Sequence, residues 1–429
     1  MRCVPRRDSD ADVPSLPSHE RARCTSRVKR RSAGAARVCV AGLLSAGVVV
    51  GPDPGAAAQS AAPPPTRTAP VSQPAPVTSP RRLVRPGGFP AGQSHAPAVR
   101  VGDTLFLSGQ TGRHPTTGLQ PDGIDAQTRQ ALARIAEVLK ADGLGYQHLV
   151  KCHVYLASMD DYAGMNRVYA SVFTDRVPAR TTVQAAGLPS DAAVQIACVA
   201  HAAVDRIAVV RPAAGSLPAP LGPYSAAVWA GDTLYLSGMG GQQPADRRVS
   251  DGLDEQVSQT LANIRTTLDA AGVGFGQVAS ATAWITHPDE MSGFASALKV
   301  PFAAMPVPPT GVLFVPRLPG AIKAELTVVA RRQPDRRRLQ VPAMSAPDAG
   351  ADVGAQFRAV ATRLRRTVAD GGLAWNDVAD VQLYLADLTD LGVVDTLFRE
   401  LFPGQPARTV VGVRPSGTAR IQVALVAAR

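Results

Sequence analysis

Cysteine is scarce in this chain of 429 residues, with five in all, and Cys3, Cys24 and Cys39 fall near its start. Only Cys152 and Cys198 stand in the body of the sequence, too few for a disulfide scaffold and without the Cys/His spacing that zinc requires. Both lie in apolar, alternating segments, which predicts buried structural thiols rather than a disulfide or redox pair. Lysine is nearly missing too, five residues against forty arginines, so the formal charge of +11 is an arginine charge. It is also unevenly placed: residues 1–85 hold 14 Lys/Arg and 5 Asp/Glu, leaving a net of only +2 over the rest. A folded body without a basic stripe loses the main support for nucleic-acid binding. No Gly-rich phosphate loop, Ser/His/Asp arrangement or paired-carboxylate motif occurs. His95, His153 and His201 stand without partners at metal or triad spacing and read as packing or surface histidines. Neither a metal nor a cofactor is expected.

Long apolar runs are absent as well. The run at 38–51 (VCVAGLLSAGVVVG) is too short to cross the ~30 Å of bilayer hydrocarbon, and Arg37 precedes it. Arg27, Lys29, Arg30 and Arg31 lie before this run, and small residues follow at 55–58. That order predicts a secretory signal peptide with a long basic leader over residues 1–58, no permanent membrane anchor, and an exported protein, periplasmic or secreted. Residues 59–88, rich in Pro, Ala and Thr, bury too little apolar surface to offset their ordering entropy and are expected as a linker.

What the sequence has in abundance is self-similarity. GDTLFLSG at 102–109 returns as GDTLYLSG at 231–238, an offset of 129, and Gln127, Leu132, Ile135, Leu139 and Gly143 return at the same offset as Gln256, Leu261, Ile264, Leu268 and Gly272. A third copy follows: VQLYL at 381–385, and Pro178-Ala179-Arg180-Thr181 again as Pro406-Ala407-Arg408-Thr409. Each full copy reads as strands at 98–101 and 104–108, a helix over 125–142 with Leu132, Ile135, Val138 and Leu139 on one face, and a strand at 150–156. A helix over 159–173 and strands at 181–185 and 193–200 complete it. The fold class is α+β, with three tandem ββαβαββ units at 89–205, 213–333 and 340–429. The third, truncated at its front, is expected to lack the first two strands. A sheet missing two strands exposes a flank, which predicts that the copies pack together.

These residues resemble the Rid family of reactive-intermediate (enamine/imine) deaminases over about residues 89–429. The resemblance is carried by Ser94-His95-Ala96, by Leu107-Ser108-Gly109-Gln110, by Met165-Asn166-Arg167-Val168-Tyr169, by Pro178-Ala179-Arg180-Thr181-Thr182-Val183 and by the close of the unit at 188–196. It implies chorismate-mutase-like units and, since the family forms homotrimers with clefts between subunits, a covalent pseudo-trimer that is a monomer of one chain. It further implies hydrolysis of 2-imino acids to 2-keto acids and ammonia. In that chemistry an arginine holds the substrate carboxylate and a glutamate 15 residues later serves the attacking water. A guanidinium suits the first task because its planar fork donates two parallel hydrogen bonds.

Carried over residue by residue, the family site is Arg180 with Gln195 in the glutamate position as the catalytic pair of the first copy. Ser108, Gly109, Asn166 and Thr182 are its substrate-binding residues, with Arg408 as a further carboxylate ligand in the third copy. Glutamine can orient water but cannot take its proton. The second copy has Glu325 but Thr310 in place of the arginine; Glu325 is expected to be a solvated strand residue unless it faces a neighbouring copy. The third has Arg408, Gln422 and Asp395. The partner is a small carboxylate. Two readings follow: an imine deaminase, or a non-catalytic carboxylate-binding module on the same scaffold.

Overall fold

The computed structural model describes residues 81–429 apart from 88, 90, 91, 115, 116, 174 and 175; the expected signal peptide and leader, and the linker as far as residue 80, lie outside the described residues. The first repeat runs β2 (Ala98–Val101), β3 (Thr104–Leu107), a short β4 (Gln110–Thr111), α1 (Ile124–Ala141), β5 (Leu149–Leu156), α2 (Tyr162–Val172), β6 (Ala179–Gln184) and β7 (Val194–His201). Helix α1 buries Leu132, Ile135, Val138 and Leu139 and ends at Gly143, whose φ of 72° only glycine adopts without strain. The second repeat repeats the order with β9 (Ala227–Ala230), β10 (Thr233–Leu236), β11 (Met239–Gly240), α3 (Leu253–Ala270), β12 (Val278–Ile285), α4 (Met291–Lys299), β13 (Thr310–Phe314) and β14 (Ala324–Arg331).

Three features depart from the sequence reading. Within the expected linker, β1 (Arg82–Val84) pairs antiparallel with β2 and buries Val84 in the core, and β8 (Ile207–Val210) pairs in the same way with β9. Strands of three and four residues carry too little alternation to stand out beside prolines. The third repeat keeps one leading strand: β15 (Arg338–Met344) lies antiparallel to the final strand β18 (Ile421–Ala428), the place that β3 and β10 hold in the other repeats. Its remaining elements are α5 (Val353–Asp370), β16 (Val378–Leu385), α6 (Leu391–Leu401) and β17 (Ala407–Gly412). Finally, Cys152 and Cys198 form a disulfide: they are register partners on β5 and β7 with Cα atoms 4.1 Å apart, so the side chains expected to be separate thiols point at one another.

The sheets run β1-β2-β3-β7-β5-β6, β8-β9-β10-β14-β12-β13 and β15-β18-β16-β17. Each packs its own helices on one face, giving three separate cores. The other faces meet in a shared core around Tyr155, Trp284 and Tyr384, which hold the same register on β5, β12 and β16. Trp284 stacks edge-on to both tyrosines, with ring centroids 6.1 and 5.9 Å away, and is fully buried. The three repeats are therefore one pseudo-trimer folded from a single chain. Because Trp284 belongs to the core all three share, Trp284→Ala in the full chain is expected to lower unfolding free energy by about 3–5 kcal/mol. Denaturant titration reads this directly, and a loss under about 1 kcal/mol would contradict a core common to the three.

Candidate active site

Strand β6 is the edge of the first sheet, and its backbone groups are met by the second repeat. Arg180 N–H donates to Ser237 Oγ at 2.8 Å, Gly238 N–H donates to Arg180 O at 3.0 Å, and Ser237 Oγ donates on to Ser225 O at 2.6 Å. This seam fixes where the buried Arg180 side chain goes. Its guanidinium lies among the rings of Tyr162, Tyr169 and Tyr224, at 5.7, 5.0 and 5.2 Å from their centroids, and Nη2 donates to Tyr162 Oη at 3.2 Å. Among the described residues no carboxylate pairs with Arg180, so its charge is balanced by π faces and most of its donors stay open.

Glu325 enters the same space from β14 of the second repeat. It is buried at 6% exposure, and burial pushes its carboxyl up to about 8 although Lys151 and Arg180 pull it down. Glu325 Oε1, Asn166 Oδ1 and Thr182 Oγ1 are all buried without a hydrogen-bond partner. Thr182 and Glu325 border a cavity of about 410 Å³ together with Arg180, Tyr224 and Gly238, covered by the connector at 212–221, and Asn166 stands behind that connector with Nδ2 donating to Leu221 O at 3.4 Å. Buried polar groups left unpaired in this way await a ligand or water. Two glycines make room: a Cβ on Gly238 would collide with Glu325 Oε1, and one on Gly222 would lie 2.6 Å from Arg180 Nη2. Beneath the cavity, Lys151 Nζ donates to Thr181 Oγ1 and Leu236 O, both at 2.7 Å, and burial brings its ammonium down to about 7.

The expected pair of Arg180 and Gln195 is split between two seams. Gln195 lies on β7, two strands in from β6, and its Nε2 donates to Val410 O of the third repeat at 2.7 Å. It therefore faces Arg408. Ser108 and Gly109 go with it: Arg408 N–H donates to Ser108 Oγ at 2.8 Å, Ser108 Oγ donates to Ala96 O at 2.6 Å, and Gly109 N–H donates to Arg408 O at 3.1 Å. The Ser-Gly pair thus holds the backbone of the neighbouring arginine strand, and its hydroxyl is already committed. Thr182 borders the Arg180 cavity, and Asn166 Oδ1 and Arg180 Nη2 both approach Gly222. Arg408 sits over Phe398 at 5.0 Å and donates from Nη1 to Asp395 Oδ1 at 2.5 Å, so helix α6 of the same repeat supplies the carboxylate.

The seam between the second and third repeats is filled. Thr310 stands in the arginine place and donates to Pro308 O, β15 crosses so closely that a Cβ on Gly311 would lie 2.7 Å from Ala343 N, and Gln422 Nε2 donates to Val312 O at 3.1 Å. The contacts run head to tail, first to second, second to third and third to first, which closes the ring. Glu325 thus faces a neighbour's cleft rather than solvent. Tyr162 and Lys151 were not picked out in the sequence as site residues, whereas Tyr224-Ser225 in the second copy fits the family pattern.

The family described as "Endoribonuclease L-PSP" matches residues 89–202, 215–332 and 340–428. A mouse protein named 2-iminobutanoate/2-iminopropanoate deaminase is 38% identical over 107 residues, 25% of this chain and 79% of its own length. A RutC family protein of Sulfurisphaera tokodaii is 40% identical over 106 residues, 24% of this chain and 85% of its own. Among solved structures, the YjgF gene product from E. coli is 30% identical and covers 28% of this chain and 98% of its own length, with a TM-score of 0.27. With the family model matched three times over most of its length, the chain belongs to the Rid (L-PSP) family.

Proposed function

We propose that this protein hydrolyses 2-imino acids to 2-keto acids and ammonia in the cleft between its first and second repeats. The observation that carries the reading is the meeting of Arg180 and Glu325, from different repeats, across one cavity. The substrate carboxylate lies on the open guanidinium donors of Arg180, with Asn166 and Thr182 beside it. Glu325, protonated below about pH 8, donates its proton to the imine nitrogen, which makes the imine carbon electrophilic. The resulting carboxylate then takes a proton from the water that adds to that carbon. The carbinolamine collapses to the 2-keto acid as ammonia leaves, so one water is consumed for each imine. Gln195 in the neighbouring seam cannot exchange protons, and Arg408 is paired with Asp395, which supports a single working cleft. Relatives named as 2-iminobutanoate/2-iminopropanoate deaminases support the same chemistry.

The protein is further proposed to be exported and to act as a monomer. The Cys152–Cys198 disulfide supports an oxidising compartment, in line with the basic and apolar pattern of residues 27–51.

Imines generated in situ by an amino-acid oxidase, with release of keto acid followed, test the deaminase reading. Arg180→Ala is expected to lower kcat/KM roughly 10²-fold by removing the charge-assisted contacts. Arg408→Ala should leave it within about twofold; equal losses in the two variants would contradict the assignment of the working cleft. Because the proton on Glu325 is needed and its pKa is raised, kcat/KM should be highest at low pH and fall as pH rises through about 8. Glu325→Gln should lose roughly 10²-fold or more together with that descending limb, and a limb that persists in the variant must belong to another group. The glycines supply a steric control. Gly238→Ala, which drives a methyl into Glu325, should cost at least tenfold in turnover; Gly109→Ala, which meets Gln195, should strain its seam by about 1–3 kcal/mol and spare turnover.

A further inference from the structure

The offset of 129 puts the walls of two clefts in correspondence. In the first–second cleft four wall positions are neutral, Met239, Gly240, Gln242 and Asn263, with Arg247 bordering the cavity beyond them. The matching wall between the third and first repeats is Gln110, Thr111, Arg113 and Arg134, two of them arginines. It borders its own cavity of about 260 Å³, and no aspartate or glutamate is among the described residues that line it.

The arginines of this wall are only partly engaged. Arg134 Nε donates to Gln110 Oε1 at 3.1 Å, while Nη1 is buried without a partner; the acid acting on it is Glu137, three residues along the same helix. Arg113 Nε donates to a backbone carbonyl, Gly118 O, at 3.0 Å, and among the described residues no carboxylate pairs with it. From the facing side comes His95, in the register place of Tyr224, with Nδ1 buried and unpartnered. Its ring is kept neutral by burial and by nearby Arg408, so it can offer one N–H without adding charge. Arg408 itself does not border the cavity; its guanidinium is turned to Asp395. The cleft has thus lost the acid of its counterpart, closed the carboxylate clamp with an internal carboxylate, and gained cations at two positions that are neutral there, while the place of the counterpart's Arg247 is Gly118.

We propose that the cleft between the third and first repeats is a second, non-catalytic site for a small oxyanion, a carboxylate or a phosphate, held by Arg134 and Arg113 with His95 Nδ1 as a third contact. A forked guanidinium suits either anion, which it meets through paired hydrogen bonds. Gln195 at this seam gives and takes no proton and is bonded to Val410 O, so the anion is bound and not transformed.

Calorimetric titration of the full-length Arg180→Ala chain with pyruvate and with inorganic phosphate isolates this cleft and needs no turnover, so its outcome is separable from that of the deaminase assay. One site per chain should remain for at least one probe. Adding Arg134→Met should weaken that site at least tenfold, and Arg134→Lys, which keeps the charge but loses the fork, should fall between. Binding of pyruvate alone, of phosphate alone or of both names the anion and upholds the proposal. No binding of either probe to the Arg180→Ala chain, or affinity unchanged by both Arg134 substitutions, would overturn it.

Discussion

A sheet edge must find hydrogen-bond partners, and in this protein the edge of one repeat is satisfied by the next. β6 ends the first sheet, so its N–H and C=O groups would face water or another chain. Ser237 Oγ and Gly238 N–H of the second repeat take up the N–H and C=O of Arg180, and Ser108 and Gly109 of the first do the same for Arg408 on β17. Such a contact has a donor side and an acceptor side, so each repeat needs a neighbour on both flanks. Three units close the requirement into a ring. The position of the cleft follows directly, since the residue whose backbone is clasped is the arginine whose side chain enters the space beyond the clasp.

Joining the three units covalently removes the symmetry that three identical subunits would impose. In a homotrimer a substitution appears at every seam; here each seam carries its own. One retains Arg180 with Glu325, one pairs Arg408 with Asp395 and places Gln195 opposite, and one is closed by β15 lying over Gly311. The truncation of the third repeat belongs to the same division. Without a hairpin and its Ser-Gly turn there is nothing to clasp Thr310, and the single leading strand occupies the space a ligand would need.

Much of this architecture was legible in the sequence because it is written more than once. The offset of 129 aligned the units, and period-two and helical patterns located β2 and β5 to within a residue of their ends. The content of each cleft was harder to read, for a geometric reason. Arg180 and Gln195 are fifteen residues apart in one copy, yet β6 and β7 flank β5, so the two side chains reach opposite seams. Grouping residues by copy therefore paired Arg180 with Gln195, whereas the sheet order pairs it with Glu325. The disulfide escaped notice because pairing of Cys152 with Cys198 depends on the register of two strands 46 residues apart. β1 did so because three residues among prolines carry no periodic signal.

The seams also show why a single cleft keeps its acid. A buried glutamate raised to about 8 costs the fold stability as pH rises from its ordinary value of 4.5, a loss of a few kcal/mol that is complete by about pH 8, against a typical net stability of about 5–15 kcal/mol. Three such sites would absorb much of that margin. At the other two seams the corresponding residue is Gln195 or Gln422, and each amide donates across the seam to the carbonyl of Val410 or Val312, where a carboxylate could only accept. A group that was costly to bury becomes a hydrogen bond worth about 1 kcal/mol to the assembly. The buried charges next to the axis follow the same asymmetry: the place held by Lys151 beneath the Glu325 cleft is Ser280 in the second repeat and Asp380 in the third, so the cation that draws Glu325 back toward ionisation is present only where there is a glutamate to draw. Gln195 and Gln422 have been turned to adhesion at two seams, and the stability they supply lets the third leave Glu325 Oε1, Asn166 Oδ1 and Thr182 Oγ1 without a hydrogen-bond partner beside Arg180.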